Sequence, residues 1–374
     1  MTPRTEAELA AIIREARAPL RIEGGGTRPI GGPTNGARLS TSAMRGIALY
    51  EPGALTLVVG AGTPLAEVEA ALAAEGQRLA FEPMDHRGLL GTEGTPTIGG
   101  VVAANVSGPR RVQVGACRDF LLGVRFVDGA GRIVRSGGRV MKNVTGYDLA
   151  KLMAGSYGTL GVLTEVALKV LPAPQAAASL TLRGLDDTRA IAALARALGS
   201  PFEVTGAAHL PGKGETLLRI EGFAESVAYR AGRLRELLAG FGTVTVEDDP
   251  EAVAACWRDI RDVAAFHGRA GDVWRLSVKP TDAPGIVAGL GGVEALHDWG
   301  GGLIWLLAPE GRGQAIRAAV AARGGHATRV RGTGADAFHP RPAPVAALEA
   351  GLRRRFDPRG LFNPGLMDGT REGA

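Results

Sequence analysis

Three glycine-rich stretches are the parts of this chain whose residues could do chemistry: Gly24-Gly25-Gly26-Thr27, the run from Pro96 to Arg111, and the loop GSYGTLG from Gly155 to Gly161. Backbone without a Cβ can turn sharply and lie flat against a planar or phosphate-bearing molecule, offering N–H groups to its oxygens. In the second stretch Asn105, Ser107 and the amides of Gly99 and Gly100 could bond such a molecule; in the third, Gly158 and Gly161 give the approach. Turn chemistry, and small residues packed between sheets, account for the same glycines without a ligand. Just before the third stretch stand Lys142, Asn143 and Tyr147. They read as scaffolding, Tyr147 packing its ring and capping a turn and Lys142 pairing with backbone or an acid.

The elements around these loops follow from periodicity. Thr5 and Glu8, three apart before an apolar periodic segment, predict a capped helix to about Arg17. A strand at Pro19 to Glu23 delivers the chain into the first glycine loop, and Leu55 to Val59 is a second strand feeding a helix that Gly76 stops. LLGVRFVDGAGRIVR is a hairpin turning at Asp128-Gly129, and Val162 to Val170 alternates as a buried strand. Beyond Pro172 the order becomes β-α-β-β-α-β, a ferredoxin-like module ending at Glu247. A helix from Glu251 to Phe266 and a similar but partial set follow: strands Val273 to Lys279 and Leu303 to Ala308, helix Gly313 to Arg323, strand His326 to Arg331. The class is α+β, with an antiparallel second sheet carrying helices on one face.

Composition excludes several functions. At 374 residues the chain suits two or three domains. Its 56 glycines are about twice the usual share without a collagen period, which implies many loops with unusual backbone angles. The net charge is +5, but the arginines are spread and no aromatic platform interleaves them, so nucleic acid is not expected as a partner. Two cysteines, Cys117 and Cys256, support neither a disulfide framework nor an iron-sulfur cluster or structural zinc. No Gly-Lys-Ser/Thr follows a glycine loop, against nucleotide hydrolysis. Gly60 and Gly62 imitate a dinucleotide fingerprint with Glu82 as its acid, but Leu65 stands where the third glycine belongs. The start, MTPRTEAELA, is no signal peptide, and no apolar run approaches the ~20 residues of a membrane span, so a cytoplasmic protein is expected, with at most peripheral membrane association through partners.

Taken together, EGGGTR, TIGGVVAANVSGPRR, RDFLLGVR, the run VMKNVTGYDLAKLMAGSYGTLGVLTEVALKVLP, DWGG at Asp298 to Gly301, GGHATR at Gly324 to Arg329 and the closing FDPRGLFNPG resemble the FAD-binding, PCMH-type fold of the vanillyl-alcohol oxidase and D-lactate dehydrogenase superfamily. Within it the resemblance is to the FAD-binding subunit of bacterial glycolate oxidase. This implies a two-part PCMH-type FAD-binding domain over 1–172, a smaller ferredoxin-like cap over 173–334, and a tail over 335–374 that returns to the FAD domain. By motif, Gly24, Gly25, Gly26 and Thr27, with Thr97, Gly99 and Gly100, would hold the pyrophosphate, and Asn105, Ser107 and Gly108 would continue that wall. Gly158, Gly161, Val162 and Leu163 would lie along the flavin or adenine, with Pro83 nearby and Asn363 close to the isoalloxazine. Thr27-Arg28-Pro29 fills the place where covalent relatives carry a histidine, which implies noncovalent FAD.

The resemblance further implies a 2-hydroxy acid such as glycolate as substrate, a second FAD-containing hydroxy-acid dehydrogenase subunit, and an iron-sulfur partner, since clusters must lie elsewhere. The complex would sit at the inner face of the cell membrane. Metal is not expected: His86, His209, His267, His297, His326 and His339 form no close pair. Oxidation of a hydroxy acid needs a base and usually an arginine for the carboxylate. The compact candidate is His326-Ala-Thr-Arg329-Val-Arg331, but alternation in an uninterrupted strand puts both arginines on one face and His326 on the other. No catalytic residue is assigned. A self-contained FAD oxidase or dehydrogenase, and a noncatalytic assembly subunit keeping the fold, are the alternatives.

Overall fold

The computed structural model describes residues 1–139, 146–333 and 337–367; Lys142 and Asn143 lie outside them. Helix α1 (Glu6–Glu15) starts where Thr5 Oγ1 accepts the Glu8 N–H, and the Glu8 carboxylate reaches back to the Arg4 amide. Strand β1 (Leu20–Glu23) pairs in parallel with β2 (Ala37–Ser40), so the first glycine loop is the crossover between them. There follow β3 (Ile47–Glu51), β4 (Thr56–Gly60), α2 (Leu65–Ala74), β5 (Gln77–Arg78) and three short helices, α3 (Arg87–Leu90), α4 (Ile98–Ala103) and α5 (Arg111–Val114). The hairpin is β6 (Leu121–Val127) and β7 (Ile133–Gly137), then come α6 (Leu149–Met153), β8 (Val162–Lys169) and β9 (Leu171–Pro172), which pairs with β5.

Strand β8 is the centre of an antiparallel sheet ordered β3-β4-β8-β6-β7. Both its faces are covered, which explains its near-continuous apolar sequence. Val162 packs into the cluster of Leu9 and Ile13 from α1, whereas Leu163 belongs to the main core on the other side.

The second half is a single sheet of eight strands. Its first unit is β10 (Ala176–Arg183), α7 (Asp187–Leu198), β11 (Gly206–Leu210), β12 (Glu215–Gly222), α8 (Ala224–Leu238) and β13 (Val244–Glu247). Helix α9 (Pro250–Arg261) leads to β14 (Asp272–Ser277), α10 (Ala283–Leu290), β15 (Glu294–Asp298), β16 (Leu303–Ala308), α11 (Gly313–Ala321) and β17 (His326–Arg331). The second unit is therefore a complete β-α-β-β-α-β set rather than the partial one read from sequence. The strand order β13-β10-β12-β11-β15-β16-β14-β17 arranges the two units symmetrically about the β11–β15 seam.

Helices α7 and α8 cover one half of one face and α10 and α11 the other. The opposite face, with Ala208, Leu217, Val273, Leu296, Trp305 and Leu307, shares one core with the first half of the chain. Ion pairs lock that junction. Glu221 on β12 meets Arg78 at 2.6 Å and Arg110 at 2.7 Å, while Arg219 meets Glu82 at 2.8 Å. The three arginines hold the Glu221 carboxyl far below its ordinary range despite burial. After α12 (Ala343–Phe356) the chain returns to its beginning: Leu20 donates to Leu361 O at 2.7 Å and Asn363 to Leu20 O at 3.0 Å.

Candidate functional site

A cleft of ≈ 490 Å³ runs between the first glycine loop, α4, the turn before β8 and the C-terminal return. That volume is within the range of small-molecule and cofactor sites. It gathers Gly24, Gly25, Gly26, Thr27, Thr97, Gly99, Gly100, Gly158, Gly161, Leu163 and Asn363, segments scattered from one end of the chain to the other. Sequence reasoning passed over Arg28, Thr41, Ala61, Ala103, Ala104 and Tyr157, which also line it.

Pro83, Asn105, Ser107, Gly108 and Val162 are not among its lining residues. Their polar groups have other duties. Asn105 Oδ1 accepts the Arg118 amide and Ser107 Oγ the Cys117 amide, and Gly108 O accepts the Trp299 indole N–H at 3.0 Å. Val162 points to the α1 side, as alternation along β8 requires once Leu163 faces the cleft.

The glycines divide by what a side chain would meet. A Cβ on Gly25 would strike Thr95 O at 1.6 Å, and one on Gly99 would strike Ala61 O at 2.6 Å, so these serve backbone packing. Gly161 belongs with them: a Cβ would meet the Phe126 ring at 2.7 Å, a contact in the core rather than in ligand space. Gly26 finds nothing within 4 Å and Gly100 only Thr97 Oγ1 at 3.2 Å. Those two present bare backbone to the open cleft.

Donors follow a different division. The Gly99 N–H is spent on Ala61 O and the Gly100 N–H on Thr97 Oγ1. Among the described residues the amides of Gly25, Gly26 and Thr27 donate to no protein acceptor. Beside them the Arg28 guanidinium donates to Gly100 O at 2.9 Å, and its buried Nε has no partner among the described residues. Burial lowers the Arg28 pKa, with the Tyr157 phenol offsetting part. Unpaired amides beside an unsatisfied buried cation form an anion cradle. A pyrophosphate matches that donor set, and the residues present fit FAD.

Asn363, in the left-handed region at φ 44, is a clasp: its Oδ1 accepts Ile22 N–H at 2.7 Å and its Nδ2 donates to Tyr157 O at 2.9 Å. It shapes the wall, both polar atoms being occupied. Tyr157, at φ 52, packs its ring edge-on against Phe338 with centroids 5.0 Å apart. Burial raises its phenol pKa against the pull of Arg28 and Arg275. Tyr147 is 91% exposed, so its ring is not the packed anchor expected; the turn is capped by Asp148, which accepts the Lys151 N–H.

The His326 run also departs from simple alternation. The pairing of β17 with β14 shifts between Val273 and Trp274, with Val330 as the extra residue. Arg331 thereby stands opposite Val273, on the sheet face shared with the first half of the chain, while Arg329 stands opposite Trp274 on the helix-covered face. Arg331 is consumed by the carbonyls of Leu89 and Phe266. Histidines do meet elsewhere: His209 and His297, paired across the β11–β15 seam, stack at 5.9 Å with Asp187 at 3.3 Å from each. Among the described residues no group of three or more His, Cys, Asp or Glu could hold a metal ion. Nor is any described helix long and apolar enough to cross a membrane.

A flavin-linked oxidoreductase is the class to which the relatives point, and the family described as "FAD binding domain" matches residues 1–137. Glycolate oxidase subunit GlcE of Escherichia coli K12 is 40% identical over 353 residues, covering 94% of this chain and 93% of its own. The chain belongs to that GlcE family of glycolate oxidase subunits, and FAD is its cofactor. Over about half its length it is also 34% identical to glycolate oxidase subunit GlcD of Bacillus subtilis, matching 37% of that protein, and 35% to D-lactate dehydrogenase of Anaerostipes hadrus. Among solved structures, alkyldihydroxyacetonephosphate synthase superposes with a TM-score of 0.71 at 16% identity, covering 97% of this chain and 76% of the other; this likeness concerns the fold alone.

Proposed function

We propose that this chain is the FAD-carrying redox subunit of a multisubunit glycolate, or 2-hydroxy acid, oxidase, handing electrons towards an iron-sulfur partner subunit and working beside a second FAD-containing hydroxy-acid dehydrogenase subunit. The observation that carries the reading is the cleft's donor set, the free amides of Gly25, Gly26 and Thr27 with the unsatisfied Arg28 Nε. Bound FAD supplies the acceptor for the hydrogen removed from the α-carbon of the acid. Gly24 to Thr27 and Arg28 would hold the pyrophosphate, Gly100 would let it lie close, and Gly158, Leu163 and Asn363 would wall the rings. The two cysteines of the chain fit this reading, in which the clusters lie on another subunit.

Attachment is noncovalent in this reading, since no histidine or cysteine is among the residues lining the cleft. Acid precipitation should release all the yellow colour into the supernatant; flavin retained in the washed pellet would overturn that point. The function is tested by adding glycolate without oxygen to the FAD-loaded chain, alone and with its partner subunits. Bleaching only in the complex supports the subunit role, bleaching alone supports a self-contained dehydrogenase, and no bleaching in either defeats both.

A further inference from the structure

Helix α12 stands clear of the body it belongs to. The chain is fastened just before it, where the Ala327 N–H meets His339 Nδ1 at 3.3 Å. It is fastened again at the last residue of the helix, where Phe356 packs on Phe126 with ring centroids 6.1 Å apart and its carbonyl accepts the Gly129 N–H at 2.8 Å. Between those points none of the 14 helical residues is buried, and positions 341–348 are all exposed. A helix of this length is marginal in water by itself, and in proteins the packing of an apolar face supplies most of its stability. Helix α12 has such a face and leaves it open.

Val345, Leu348 and Leu352 are 41%, 71% and 38% exposed, and they follow one another at spacings of three and four. That register draws one narrow seam, the pattern by which a helix packs along another helix, rather than the broad apolar face of a helix lying on lipid. Glu349 borders the seam on one side and Gly351 on the other, where the missing Cβ lets a neighbouring chain come close. The next place in the register, three residues on, is Arg355. It is exposed and has no acceptor among the described residues. The one carboxylate on the helix, Glu349, is held by Arg341 at 3.1 Å. A second copy of this helix would therefore bring Arg355 no free acid, so the charge of the seam calls for a different chain.

We propose that α12 is a docking helix: it pairs with a helix of a partner subunit, whose apolar residues cover Val345, Leu348 and Leu352 and whose carboxylate meets Arg355. The inference rests on the reading of this chain as one subunit of a complex, and it names the surface that the partner takes. Burial of three apolar side chains supplies the affinity, and the Arg355 pair fixes register and direction.

The test co-expresses the tagged full chain with its partner subunits, and interferometry then measures the affinity of the purified chain for each of them. Leu348→Asp should weaken binding of one subunit about tenfold or more. Leu348→Met, which keeps an apolar side chain, should bind like the native chain. Arg355→Glu should weaken binding by a factor that shrinks as salt rises. All three variants should keep the melting temperature and FAD content of the native chain, because the changed side chains are exposed and lie outside the cleft. The proposal is overturned if Leu348→Asp and Arg355→Glu both assemble normally, if the native chain pairs with itself in gel filtration and Leu348→Asp abolishes that pairing, or if the native chain binds phosphatidylglycerol vesicles and Leu348→Asp does not. Normal assembly of both variants would defeat the docking helix and leave the subunit reading intact, whereas a native chain that joins neither subunit would defeat both.

Discussion

Replacing Gly100 with alanine separates the ligand from the fold more cleanly than any other change in the cleft. Gly100 lies inside α4 with its N–H on Thr97 Oγ1, and its φ is not in the left-handed region. Alanine should therefore favour the helix by up to about 1 kcal/mol. The one close neighbour of the new Cβ, Thr97 Oγ1 at 3.2 Å, needs to give by a few tenths of an ångström, which offsets part of that gain. The FAD-free variant should thus melt within about 4 °C of the native chain. In the holoprotein the methyl group would enter the space assigned to the pyrophosphate, and loss of that close approach should weaken FAD about ten- to a hundredfold, or roughly 1.4–2.8 kcal/mol. Flavin fluorescence quenching against FAD concentration measures it. Native-like affinity in a variant of native-like stability would refute the placement of the phosphates beside α4.

Gly161→Val should act differently, lowering the stability of the first half by at least about 1–3 kcal/mol because its side chain enters the Phe126 ring; a variant that loses FAD yet unfolds like the native chain would contradict this. Glu221→Gln removes the acid that pairs with Arg78 and Arg110, leaving Arg219 its bond to Glu82, and should cost about 3–5 kcal/mol in urea unfolding, whereas a loss below 1 kcal/mol would mean the network is dispensable. Burial raises the Asp298 carboxyl to about 7. The folded chain then holds a proton that the unfolded chain has lost between about pH 4 and 7, so this group lowers stability as pH rises through that window, by at most about 4 kcal/mol. Asp298→Asn should remove that slope. The difference between native and variant is the quantity to follow, because His86, His326 and His339, all held below their ordinary pKa, tilt stability the other way. An unchanged difference across the window would count against it.

Local signals carried much of this architecture. The Thr5 cap, the β6–β7 hairpin, the apolar β8 and the first β-α-β-β-α-β unit are each written in consecutive residues. Helix α10 and strand β15 were not legible, because APGIVAGL and EALHD take their structure from the sheet they join: His297 and Asp298 are polar yet fully buried at the seam. The bulge at Val330 turned Arg331 away from the face of Arg329, and no pattern within six residues announces such a shift. In the cleft the glycine loops were visible, whereas which glycine serves packing and which serves a ligand depends on neighbours such as Phe126 and Ala61, distant in sequence. The roles of Arg28 and Tyr157 escaped for the same reason: their surroundings come from other parts of the chain.

The most direct measurement is the visible spectrum of the purified chain after incubation with FAD and gel filtration. A flavin spectrum co-eluting with the protein at one FAD per chain, and lost in a variant lacking the Arg28 guanidinium, is the expected result. A colourless protein peak, with all the FAD in the small-molecule fraction, would contradict the account.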